Sequence, residues 1–221
     1  MRGLIFGFDG VLVDERPVQV DVLRRVVAGE SLGASEERVI ATFARRGAGE
    51  LPSLLQEALG DDAKPGLAPR LAARWSAFYQ AHLRQEGPRP AEGALDMVAK
   101  ASRAGWMLGV LSPSPQVEIE AALERLEILP RFKIVLGDAG YSADGYREAW
   151  RSLNSLPPLP SRLLHPHEVL AVDTAPEALA AAARAGLVAV GVARRHPPEE
   201  LAPAERVIHD LEELFAKPAG R

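Results

Sequence analysis

A chain of 221 residues, 47% hydrophobic and 25% charged, is long enough for one large domain or two small ones and can bury a sizeable core. Its formal net charge of −4 lacks the basic footprint of a nucleic-acid binder, and the absence of cysteine excludes disulfides, zinc–thiolate sites and thiol catalysis. Met1-Arg2-Gly3 runs straight into a strand and no apolar run approaches a membrane span, so the expectation is a soluble cytoplasmic protein with no nucleic-acid or membrane partner.

The opening "LIFGFDGVLVDE" reads as a buried strand over residues 3–8, closed by a tight turn at Asp9-Gly10. Gly7 falls inside that strand, where it packs nothing and weakens the ladder. From Asp14 to Gly87 the chain reads as helical. "PVQVDVLRRVVAGE" has apolar residues at 18, 22, 23, 26 and 27, close to the 3.6 period of one buried face. "SEERVIATFARRG" starts at the N-cap candidate Ser35, with Arg38 where a capping box would carry Glu. "GELPSLLQEALG" and "GLAPRLAARWSAFYQAHLRQEG" continue the block, each closed by glycine. Trp75, Phe78, Tyr79 and His82 follow helical spacing and are expected in its core. "EGPRPAEG" reads as a linker.

Beyond Gly93 strands and helices alternate. "ALDMVAKASRAG" is a helix, "WMLGVLS" a strand, and "PQVEIEAALERLEI" a helix for which Ser114 is the expected cap and Pro115 the first position. "FKIVLG", "EVLAVDT", "LVAVGVA" and "ERVIHD" are strands, "ADGYREAWRSLN" and "PEALAAAARAG" helices, and "LEELFAK" a short last helix. Tyr146 and Trp150 read as packing, and His165 and His167 as loop residues. Such alternation predicts βαβ units, and hence an α/β fold. It is a three-layer, Rossmann-like parallel-sheet core of residues 1–13 and 89–221, with an all-helical domain (14–88) inserted after the first strand. The arginine pairs 24–25, 45–46 and 194–195 read as solvated faces.

Ligands of open parallel sheets bind outside the carboxyl ends of the strands. Asp9, Asp14, Ser112, Asp138 and Asp173-Thr174 collect at that rim. Several carboxylates and a hydroxyl suit a hard cation sharing a phosphate. Turn-forming and helix-capping roles explain the same aspartates, with Asp14 expected to cap the first inserted helix.

"FGFDGVLVDE", "LGVLSPS" and "VDTAPEALAAAARAG", with a helical insertion after the first of them, resemble the motifs of the haloacid-dehalogenase superfamily in order and spacing. The resemblance covers essentially the whole chain and is greatest to the phosphatase and phosphomutase branch with a helical cap. It implies a nucleophilic aspartate that becomes an aspartyl-phosphate and a second aspartate, two residues on, as acid/base. It further implies a phosphate-holding hydroxyl and lysine, and magnesium-binding acids. Asp9 matches the acid/base, Ser112 and the turn glycine Gly10 the phosphate-binding positions, and Asp9 (through its carbonyl) and Asp173 the metal ligands. Arg45-Arg46-Gly47 falls where capped relatives contact substrate.

The nucleophile's position is Gly7. Pro113 stands where a backbone N–H holds phosphate, Gly140 where the lysine belongs, and Val172 where many relatives carry a further acid. Arg147, one turn beyond, is a candidate replacement for the lysine charge. Residues 7 and 9 of a strand lie ~6–7 Å apart, too far for Asp9 to take over the attack. The expectation is a catalytically degenerate phosphatase-like protein acting as a ligand-binding or regulatory protein. Its partner would be a small phosphorylated molecule or another protein, and Mg2+ binding would be weak. The alternative is a magnesium-dependent phosphatase resembling phosphoglycolate phosphatases, working by an altered route with Asp9 as general base for direct attack by water. An isolated change at Gly7 in an active enzyme would leave Pro113, Gly140 and Val172 unexplained.

Overall fold

Six short aliphatic runs form one parallel sheet in the structure, a computed structural model describing residues 2–30, 32, 35–46, 51–60, 64–157 and 162–215. The side chains of Arg45 and Arg46, and Gly47 entirely, lie outside the described residues. The strands are β1 (Gly3–Phe6), β2 (Met107–Leu111), β3 (Ile134–Leu136), β4 (Val169–Asp173), β5 (Val188–Val192) and β6 (Arg206–Ile208). Their order is β3-β2-β1-β4-β5-β6. The connections therefore run outward in opposite directions from β1 and β4, and the crevice at the carboxyl ends of these two strands is the topological switch point.

Alternation along the strands assigns two cores. Leu4 and Phe6 of β1, Leu108 and Val110 of β2 and Val172 of β4 pack with α5 (Ala94–Arg103) and α6 (Gln116–Arg125). Ile5, Leu111 and Ala171 face the other way, against α7 (Ala143–Ser155) and α8 (Pro176–Arg184). Apolar residues on both faces of each strand are what a sheet covered by helices on both sides demands. This α/β unit comprises Met1–Asp14 and Arg89–Arg221.

The second unit, Glu15–Pro88, is all-helical: α1 (Arg16–Val27), α2 (Ser35–Arg46), α3 (Leu51–Leu59) and α4 (Leu67–Gln85). Its core holds Leu23, Val26, Phe43, Leu55, Leu71 and Trp75. Trp75 stacks on Tyr79 with ring centroids 5.0 Å apart. Phe78, expected in this core, is 52% exposed, because α4 turns its 75/79 face inward and position 78 lies off that face. Arg38, the residue in place of a capping Glu, donates to Ser35 Oγ and also to the Ala58 and Leu59 carbonyls, so it satisfies the carboxyl end of α3. Among the described residues no helix is long and apolar enough to cross a membrane.

Three local expectations are corrected. β1 ends at Phe6 rather than at residue 8, because Gly10 adopts φ +85° and the Leu12 and Val13 N–H groups turn back onto the Phe8 carbonyl. Ser114 does not cap α6. Pro115 is the N-cap residue, and the free N–H of Gln116 is met by Asp138 Oδ2 at 3.1 Å, from the loop after β3. The last helix is a 3-10 turn (Leu211–Phe215), as befits five residues whose approach is tied by Glu213 Oε1 accepting from the His209 and Asp210 N–H groups.

The same loop contains a close backbone approach. A Cβ on Gly137 would lie 2.4 Å from backbone atoms of Gln116, whereas one on Gly140 would meet nothing within 4 Å. Gly137→Ala is expected to destabilise the protein by about 2–4 kcal/mol and Gly140→Ala to change it by less than about 1 kcal/mol. Urea unfolding of the two variants checks this.

Candidate functional site

The β1–β4 pairing, with Phe6 opposite Val172, carries Gly7 and Asp173 side by side to the switch point. The Gly7 N–H donates to the Val172 carbonyl at 2.8 Å, extending the ladder by one rung. A Cβ built on Gly7 would lie 2.3 Å from Asp173 Oδ2 and 2.8 Å from its Cγ. The space a side chain at position 7 would use is therefore filled by the Asp173 carboxyl group.

Asp173 is 2% exposed. Its Oδ1 accepts from the Thr174 and Ala175 N–H groups at 2.7 and 2.9 Å, while its Oδ2 is buried without a hydrogen-bond partner among the described residues. Burial, which disfavours the charged form, pushes its pKa up to about 7; the two N–H bonds and the Arg195 charge only partly offset this.

Arg195, in the segment after β5, is the cation of the site. Its Nη2 donates to Asp9 Oδ1 at 2.8 Å and lies 3.7 Å from Asp14 Oδ1. The side chains of Arg195 and Asp9 are each 15% exposed, so the pair is largely shielded from water. Burial works against the charged guanidinium, but Asp9 above all, with Asp14 and Asp173, outweighs it and holds the Arg195 pKa above the ordinary arginine value. Gly10 makes room for it: with φ +85° and no side chain, its α-carbon leaves space that Arg195 and Thr174 use, all at 2.8 Å from where a Cβ would be.

Tyr141 borders the same group. About a third of its surface is exposed, but burial of its hydroxyl, reinforced by the charges of Asp173 and Asp9, raises its pKa well above the usual value.

The other expected residues are placed as follows. Ser112, 3% exposed, directly follows β2, and its Oγ accepts from the Ser114 N–H at 3.1 Å. Pro113 follows it with no N–H to offer. Arg147 does not replace the missing lysine charge at the rim, because it is taken by Asp144 at 2.6 Å and by the Arg184 carbonyl at the far end of α8. Asp14 does not cap α1: Glu15 is the N-cap residue, without a side-chain cap bond, and the Asp14 carboxylate faces Arg195 instead. Arg195 is itself a correction to the reading of residues 194–195 as a solvated face. It belongs to no motif, and the only signal for it was its position just beyond a strand that ends at the rim.

These residues do not suit a magnesium ion. Position 7 has no carboxylate, the Arg195 guanidinium already stands 2.8 Å from Asp9 Oδ1, and of the expected side-chain ligands Asp173 alone presents a buried oxygen without a partner among the described residues. Among the described residues no group of three or more His, Cys, Asp or Glu side chains is arranged to hold a metal. Hard divalent cations need several oxygen ligands.

A parallel α/β sheet with an all-helical unit inserted after its first strand, and aspartates at its switch point, define a class of α/β protein. The chain belongs to the haloacid dehalogenase-like hydrolases, whose family pattern matches residues 1–186. It is 26% identical over 187 residues to validoxylamine A 7'-phosphate phosphatase of Streptomyces hygroscopicus subsp. limoneus, an alignment covering 78% of this chain and 84% of that protein. Among solved structures it is similar to CbbY of Rhodobacter sphaeroides in complex with xylulose-1,5-bisphosphate (TM-score 0.75, 21% identity, 97% of both chains). It is also similar to a haloacid dehalogenase-like hydrolase of Streptococcus pneumoniae (TM-score 0.74, 16% identity, 98% of this chain and 97% of that one).

The state of Asp173 sets a pH dependence of stability. Its carboxyl group binds a proton more tightly in the folded chain, near pH 7, than at its ordinary value of 3.8. Its contribution is thus most favourable below about pH 4, declines as the pH rises through the window up to about 7, and is level above it. Asp173→Asn is expected to remove this decline, gaining on the native protein by up to ~4 kcal/mol between pH 4 and pH 8. Unfolding of both proteins in EDTA across that range measures it.

Proposed function

We propose that this chain is a catalytically degenerate haloacid dehalogenase-like protein, which binds a small phosphorylated molecule and acts in binding or regulation rather than in phosphoryl transfer. The observation that carries this reading is the Asp173 carboxyl group in the space beside Gly7. The attack on phosphorus needs a nucleophile held within about 1 Å of its productive position, and here the backbone at that position carries none. Losing a catalytic nucleophile typically costs on the order of 10⁴–10⁶ in rate. Pro113, which offers no N–H, and Gly140, which offers no charge, weaken the hold on a transferring phosphoryl group further. The Arg195 pairing also counts against Asp9 as a stand-in base, since a carboxylate bonded to a guanidinium is a poor proton acceptor.

Phosphorylated small molecules are the ligand class favoured by the company this chain keeps. The curated relative is named for a 7'-phosphate, and one similar structure holds a sugar bisphosphate.

The test is phosphate release from p-nitrophenyl phosphate and from sugar phosphates, with magnesium, by the native protein, Gly7→Asp and Asp9→Asn. The native protein is expected to match the buffer control. Gly7→Asp is expected to stay silent too, because the other losses persist and its new carboxylate must first displace Asp173. Native turnover that Asp9→Asn abolishes would overturn the proposal in favour of direct attack by water in a working phosphatase.

A further inference from the structure

We infer that Arg195 is the resident cation of this site: its guanidinium does the charge neutralisation that a divalent metal does elsewhere in the family, and the site is metal-independent for that reason. This goes beyond the loss of phosphoryl transfer and does not rest on it. A site without turnover could still hold magnesium, and one with turnover could still dispense with it.

Four observations converge. The guanidinium lies against two carboxylates that end the first strand's turn, at 2.8 Å from Asp9 and 3.7 Å from Asp14. The contact is built into the backbone, because Gly10 at φ +85° leaves the space that the Cζ and Nε of Arg195 use. The charge is shielded, with 15% of the Arg195 side chain exposed, so its attraction is felt more strongly than that of a surface arginine. Finally, Asp173, across the same crevice, has a buried Oδ2 without a hydrogen-bond partner among the described residues and lies within the electrostatic reach of Arg195.

The charge balance agrees. Relative to the site that the family resemblance implies, the guanidinium of Arg195 offsets the lysine charge absent at Gly140. The carboxylate absent at position 7, with the further acid absent at Val172, leaves the crevice more positive than that site and with less charge for a divalent ion to neutralise. A magnesium ion entering now would meet a fixed positive charge a few ångströms away and would find no carboxylate at position 7. Both effects disfavour the ion. Conversely, removing the guanidinium leaves Asp9, Asp14 and Asp173 facing one crevice without their shared counter-charge, which makes a cation welcome there.

The experiment uses the full chain and magnesium alone as the probe. Calorimetric titration and thermal unfolding are run with MgCl2 against a choline chloride control of equal ionic strength, for the native protein, Arg195→Met and Arg195→Lys. The native protein is expected to show no saturable heat and a Tm shift below about 1 °C. Arg195→Met is expected to be less stable in EDTA, to regain about 3–5 °C in saturating magnesium, and to bind the ion at least tenfold more tightly than the native protein does. Arg195→Lys, which keeps the charge, is expected to stay indifferent to magnesium. If Arg195→Met folds only when magnesium is added, the inference is supported. If it stays unfolded in magnesium while Arg195→Lys folds, the ion cannot replace the side chain and the inference fails. Sub-millimolar magnesium binding by the native protein would overturn it, as would an Arg195→Met variant no more responsive than the native chain. Neither result depends on whether any phosphate ester is turned over.

Discussion

The pairing of β1 with β4 is the constraint from which the rest of the site follows. These strands are neighbours in the sheet, yet helices and two further strands separate them along the chain. Their register puts Val172 opposite Phe6, and the next rung, Gly7 N–H to Val172 carbonyl, places the α-carbon of Gly7 against the side chain of Asp173. Once that rung is made, position 7 and the Asp173 carboxyl group compete for one volume. In this chain the glycine concedes it. The carboxyl group then occupies a dry niche, with one oxygen held by two loop N–H groups and the other facing no donor, and its high proton affinity is the electrostatic consequence.

A second accommodation balances the first. The turn after β1 brings the carboxylates of Asp9 and Asp14 together, and the chain answers with an arginine from the loop beyond β5, seated over a glycine whose backbone conformation few other residues adopt. The two glycines, at 7 and at 10, thus serve opposite ends of one charge arrangement: one admits a carboxyl group, the other a guanidinium. Membership of a hydrolase family is compatible with this arrangement, because a fold supplies a place for chemistry and the side chains decide which chemistry occurs there.

Much of the architecture was legible in the sequence. The strand–helix alternation after Gly93 and the helical period between 18 and 83 are long, regular signals, and the aspartates at strand ends fall where parallel sheets place ligands. What was not legible was reach. Nothing in the string "ARRHPP" says that its second arginine folds back some distance onto residue 9, because that contact depends on the loop path after β5 and on the free space above Gly10. Asp138 capping α6 is of the same kind: the local signals, Ser114 and Pro115, pointed to a cap in sequence, and a carboxylate from another strand's loop supplied it in space. Phe78 escaped for a simpler reason, since helical spacing alone cannot say which side of an apolar cluster meets the core.

The placement of β1 at the centre of the sheet has a consequence for how the chain acquires its structure. Residue 3 finds its two neighbours at residues 107 and 169, so β1 is not completed until the chain has grown as far as β4. The helical unit closes on contacts no farther apart than its own ends and can assemble while β1 still waits. Contacts that distant in sequence carry a large loop-closure cost and fold slowly. Until Val169–Asp173 emerges, one edge of β1 has no strand to pair with, and unpaired strand edges in a partly folded chain favour aggregation.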